Sequence, residues 1–106
     1  MANTIRHYEK RGNGEYADVV YNMNTPAGNA KYVARHPYAW PGGYPIYALT
    51  DDGGALCKSC CRSEFRTIAE SNEYDGWHVL TIDVNYEDPD LYCDNCNEPI
   101  ECAYCD

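Results

Sequence analysis

Hydrophobic positions come in short bursts along this chain, divided by polar stretches and by glycine- or proline-bearing breaks. Residues 15–23 are dense in valine and tyrosine, which predicts a strand. The residues before them are polar, charged and glycine-spaced. They predict a mobile arm over residues 1–14, ahead of a single domain over residues 15–106. Residues 24–29 have turn composition, and residues 31–35 predict a short strand or turn. Residues 36–45 carry three prolines and two glycines, so they predict a stiff, irregular loop presenting Tyr38, Trp40 and Tyr44.

The clearest local element follows. Residues 46–50 predict a strand, Asp51, Asp52, Gly53 and Gly54 a tight turn, and residues 55–57 a returning strand. From residue 59 to about 71, Cys61, Phe65 and Ile68 recur at helical spacing and predict one helix with those three side chains on its inner face. Residues 77–86 give the strongest strand signal, and residues 100–104 predict a last strand. The fold class expected is a small α+β protein: zinc-ribbon-like β-hairpins, an antiparallel sheet and one short helix.

Each of two cysteine pairs, Cys57/Cys60 and Cys93/Cys96, sits just after an apolar approach, with 32 residues between the pairs. A CxxC turn points two sulfurs at one ion, and two such turns face to face make a tetrahedral cage. Four thiolates suit one structural Zn²⁺, with no vacant position for substrate; Fe in the same cage is the alternative. Cys102 and Cys105 form a third CxxC. On a strand over residues 100–104 their thiols would diverge, so a second site using Cys61, Cys102 and Cys105 requires that strand to break at Ala103. Cys61 is expected to pack as a small apolar side chain. A thiol redox protein is a further alternative, since Lys58 and a helix start beside Cys57 would favour thiolate, although the same effects favour metal ligation. His7, His36 and His78 show no metal-ligand spacing, and His78 is expected as a half-buried strand residue. The acidic run over residues 83–90 lacks calcium-loop order, and neither a phosphate-loop fingerprint nor a nucleophile elbow is found, so no enzyme is expected.

Charge changes the picture of partners. The formal net charge is −9, with eight Lys and Arg against six acidic residues up to Arg66, then eleven Asp and Glu with no Lys or Arg after it. Such a field repels phosphate backbones, so nucleic acid is not the expected partner; only Arg6, His7, Lys10 and Arg11 would favour it. No apolar run approaches the ~20 residues of a membrane span. The N-terminal residues have no apolar signal region, and seven cysteines without one favour metal binding in a reducing cytoplasm.

Residues 42–60 and 83–97, followed by Ile100, Glu101, Ala103 and Tyr104, resemble a group of small uncharacterised proteins encoded by bacteriophages and occasionally by bacterial genomes. The resemblance covers roughly residues 36–104. It implies a phage-type accessory protein in the host cytoplasm, and pairs matching Cys57/Cys60 and Cys93/Cys96 recur in the group. The place of Cys102 is often a small residue there, so the third CxxC is a departure. The function expected is a zinc-stabilised module that binds a host or phage protein through Tyr38, Trp40 and Tyr44. An acidic inhibitor imitating nucleic acid is the alternative.

Overall fold

The computed structural model describes residues 4–10, 14–39, 43–73 and 75–104. Strand β1 (Thr4–Lys10) pairs antiparallel along its whole length with β2 (Tyr16–Asn22). Residues 4–10 of the mobile arm expected over residues 1–14 are therefore a paired strand. Strict alternation drives the pairing: Ile5, His7 and Glu9 lie in register with Tyr21, Val19 and Ala17 on the inner face, while Arg6 and Tyr8 are exposed. Two of the inward residues of β1 are polar, so no apolar pattern announces the strand.

Residues expected as a turn and short strand form helix α1 (Pro26–Arg35) instead. Thr25 caps it, its Oγ1 accepting from Gly28 N at 3.0 Å, and Pro26 opens the first turn. Buried Asn29 adds bonds from Nδ2 to the carbonyls of Met23 (3.0 Å) and Thr25 (2.9 Å). A Cβ at Gly28 would run into Asn22 O, so the helix starts this close to β2 only with glycine there. Turn chemistry and helix-start chemistry use the same residues, which is why the sequence pattern is ambiguous here.

The main sheet is built on β4 (Tyr44–Thr50), which pairs antiparallel with β3 (Tyr38–Ala39), β5 (Ala55–Leu56) and β6 (Val79–Val84). Ile46 N donates to Pro37 O and Thr50 N to Gly54 O, whereas Pro45 O accepts from Asn85 N. Strands β3 and β5 therefore follow one another along one edge of β4, and β6 runs along the other. The loop expected over residues 36–45 is thus partly a ladder; Trp40 lies outside the described residues. The expected hairpin across Asp51–Gly54 is present.

Helices α2 (Lys58–Ser63) and α3 (Phe65–Ala69) replace the one helix expected, divided at Glu64. The break turns Phe65 outward, 37% exposed, while Cys61 and Ile68 stay fully buried. Three short helices and antiparallel strands make the described chain a small α+β fold. Helix α1 packs against α2, α3, β4 and β6, placing Ala30 and Val33 in one core with Ile46, Ala48, Leu56, Cys61, Ile68 and Val79. The strand expected over residues 100–104 is absent. Ala103 and Tyr104 form a bend whose N–H groups reach Asn85 O and Tyr86 O. Among the described residues no helix is long and apolar enough to cross a membrane.

Candidate metal centre

Strand β5 delivers Cys57 to the start of α2. Cys57 holds the N-cap position, with φ −78° and ψ 166°, and its carbonyl accepts from Cys61 N at 2.9 Å. The helical turn that follows brings Cys60 round to the same side as Cys57, whereas Cys61 points into the core, 0% exposed.

The second pair sits on a tight hairpin. Cys93 N donates to Glu98 O, Ile100 N to Leu91 O, and Tyr92 bridges Pro99. Asn97 closes the turn, its N–H bonded to Cys93 O at 2.9 Å and its φ at 60°, a left-handed conformation that asparagine tolerates better than most residues. The hairpin is fastened to the sheet by Asp94 N, which donates to Ala55 O at 2.9 Å. Gly54 lies beside this contact, where a Cβ would make the Asp94 carboxylate shift.

These two arrangements bring Cys57, Cys60, Cys93 and Cys96 together, with every ligand sulfur within 4.8 Å of the others. Cys57 Sγ and Cys96 Sγ are 3.8 Å apart. A tetrahedral cage with metal–sulfur bonds of ~2.3 Å has sulfurs ~3.8 Å apart, so the four residues could hold one metal ion. The surroundings fit an ion bound by thiolates. Cys57 N donates to Cys93 Sγ at 3.4 Å and Asn95 Nδ2 to Cys60 Sγ at 3.3 Å. Such N–H donors stabilise sulfur that carries negative charge.

Cys57, Cys60 and Cys93 differ in their readiness to ionise. Burial pushes Cys93 up, but hydrogen bonds from the backbone of Cys96, Cys57 and Asn95, joined by Cys60, bring it down to about 7. Burial dominates at Cys57 and Cys60 and pushes both up. An ion reaching the cage therefore finds Cys93 already partly thiolate and must displace protons from Cys57 and Cys60, which makes affinity rise with pH. Cys61 is pushed up to about 12 by burial and stays a neutral thiol, as expected of a core side chain.

The remaining candidates fall elsewhere. Cys102 is disulfide-bonded, and its Sγ lies 3.4 Å from Tyr86 O; Cys105 lies outside the described residues. His78 is half-buried just before β6, its Nδ1 3.3 Å from Ser71 Oγ. His7 and His36 stack at 4.0 Å between the β1–β2 hairpin and the end of α1. Of the expected partner residues, Tyr38 is 42% exposed, with its hydroxyl donating to Glu101 Oε1 at 2.8 Å. Tyr44 is half-buried and accepts from the Tyr104 hydroxyl at 2.8 Å, with Tyr86 packed edge-on. Sequence reasoning missed Asn95 and Asn97. Only the left-handed turn after a CxxC, which favours Gly or Asn, could have flagged Asn97 in advance. No protein-family model, curated protein or solved structure matches this chain, so the reading of the site rests on its own chemistry.

Proposed function

We propose that this chain is a small phage-type accessory module, held together by one structural zinc ion and acting by binding a protein partner. The observation that carries this reading is the closed set of four cysteine sulfurs at the seam between β5–α2 and the C-terminal hairpin. Zn²⁺ suits four thiolates without needing a further ligand, so the bound ion supplies a cross-link rather than a reactive position. Fe would fit the same cage and would announce itself by visible absorption. The proposed contact surface comprises Tyr38 on one side of the β3–β4 ladder and Tyr44 with the adjoining Tyr86 and Tyr104 on the other; Trp40 lies outside the described residues. Tyrosine gives large contact area with little side-chain entropy to lose.

The test is recovery of a co-purifying protein by the tagged chain expressed in a bacterial host. Tyr38→Ala and Tyr104→Ala should each lose that protein while melting as the parent does. Tyr8→Ala, a more exposed tyrosine on β1, should keep it. Equal recovery by all three variants would remove the proposed surface. Release of the partner by salt alone would favour the acidic-mimic reading instead.

A further inference from the structure

Four of the eight Lys and Arg residues line two adjoining hollows between α1 and α2, although the whole chain carries a formal −9. The first hollow, about 460 Å³, is walled by Lys31, Arg35 and Arg62, with Ala34, Cys61 and Phe65 completing it. The second, about 490 Å³, shares Ala34, Arg35 and Arg62 and adds Lys58, Ser59 and Ser63. No carboxylate lines either hollow among the described residues. Arg35 pairs with Glu9 at 3.5 Å and stays 47% exposed, Lys58 Nζ donates to the Tyr38 hydroxyl at 3.3 Å, and Lys31 Nζ lies 6.0 Å over the Tyr21 ring, so no carboxylate but Glu9 neutralises the four cations among the described residues.

The two hollows differ in chemistry. One joins cations to an apolar wall that includes the outward-turned ring of Phe65. The other joins cations to two hydroxyls. Arg62 stands on their shared wall, held there by donating from Nη2 to Ala34 O at 3.2 Å. We infer that this groove is a binding site for a nucleotide-sized organic phosphate, its flat body against Phe65 and its phosphates among Arg35, Lys58, Arg62, Ser59 and Ser63. Each hollow lies within the size of ordinary small-molecule sites. Guanidinium forks match phosphate oxygens two at a time, and an aromatic ring offers a stacking face to a base. A long polyanion fits less well, because the acidic residues after Arg66 would repel it wherever it ran past the groove.

The groove and the metal cage are separate sites that share α2, so the inference goes beyond the binding-module reading and its test uses the metal-loaded chain. Calorimetric titration with ADP, pyrophosphate and adenosine reads it directly. ADP should bind, pyrophosphate more weakly, and adenosine not detectably. Lys58→Gln and Arg62→Gln should each weaken ADP about tenfold, as expected for a charge-assisted hydrogen bond lost. Arg6→Gln, which removes the same charge from the exposed face of β1, should leave ADP binding unchanged. Native mass spectra should show the same metal content in all three variants, which separates a lost groove from a lost fold. The inference is overturned if ADP fails to bind at millimolar concentration, if adenosine binds as well as ADP, or if Arg6→Gln weakens binding as much as the groove variants. Tighter binding of a single-stranded oligonucleotide than of ADP would overturn it too.

Discussion

Asn95 shows how much a single side chain outside the ligand set can matter. Its amide donates to Cys60 Sγ at 3.3 Å, beside the ligand that burial makes hardest to ionise. Removing that donor leaves the Cys60 thiolate less stabilised and less firmly aimed. Asn95→Ala should weaken metal retention by about tenfold or more, the usual cost of losing a partner that orients a ligand. Competition with a chromogenic chelator measures this, and retention equal to the parent would remove Asn95 from the site. The ligands should respond far more sharply. Cys96→Ser is expected to unfold most of the domain and Cys102→Ser to melt near the parent temperature; equal melting of the two would contradict the ligand assignment. That Cys57, Cys60, Cys93 and Cys96 come together was legible from the two CxxC spacings alone. Asn95 was not, because an amide between two cysteines has no pattern of its own until the fold brings Cys60 against it.

At the scale of elements, the β1–β2 hairpin is attached to α1 through a polar cluster. His7 stacks on His36, His36 Nε2 lies 2.7 Å from Glu9 Oε2, the Tyr21 hydroxyl donates to the same carboxylate, and Tyr32 Oη is 3.2 Å from His7 Nε2. Burial, with His36 alongside, lowers the His7 pKa below its ordinary 6.5, although Glu9 acts the other way. Burial pushes Glu9 up, but the hydrogen bonds from Tyr21 and His36 and the charges of His36 and Arg35 outweigh it and hold the carboxyl below its ordinary 4.5. Both shifts have the same sign for stability. The unfolded chain takes up protons that the folded one resists, so stability falls as pH drops through 6.5 at His7, then again below 4.5 at Glu9. His7→Phe keeps a ring in place without the titration. Calorimetric melting from about pH 7 to pH 5 should show the parent losing more stability than the variant, since one titrating histidine is gone. Parallel losses would exclude His7.

The same cluster explains what the sequence pattern concealed. The hairpin across Asp51–Gly54 and strand β6 were readable from turn residues and β-branched density. Strand β1 was not, because its inner face is half polar and becomes intelligible only when Tyr21, Tyr32 and His36 are in place. Helix α1 was hidden by Asn24, Thr25 and Pro26, which suit a turn and a helix start equally well.

Over the whole molecule, buried polar side chains and the four-cysteine cluster link segments that are distant in sequence. Asn85, 3% exposed, fastens the end of β6 to the C-terminal segment: its Nδ2 donates to the carbonyls of Asp88, Ile100 and Glu101, and its Oδ1 accepts from Asp88 N. Replacement by alanine strands several buried backbone groups and should cost about 2–3 kcal/mol, seen as a lower midpoint in urea with an unchanged slope. A midpoint within error of the parent would count against that role. The cage acts on a larger scale, because it joins segments 36 residues apart, from Cys57 to Cys93. Structural zinc can contribute ~10–16 kcal/mol of apparent free energy in small peptides, as large as the whole stability of a typical domain.

That comparison makes metal content the decisive observable. Native mass spectrometry of protein purified without chelator or added metal should show one zinc per chain, the neutral mass rising by one zinc less two hydrogens. Acidification should release the ion together with the folded charge-state distribution. A metal-free chain that keeps its folded charge states, with Cys57, Cys60, Cys93 and Cys96 as free thiols or disulfides, would contradict the account at its centre.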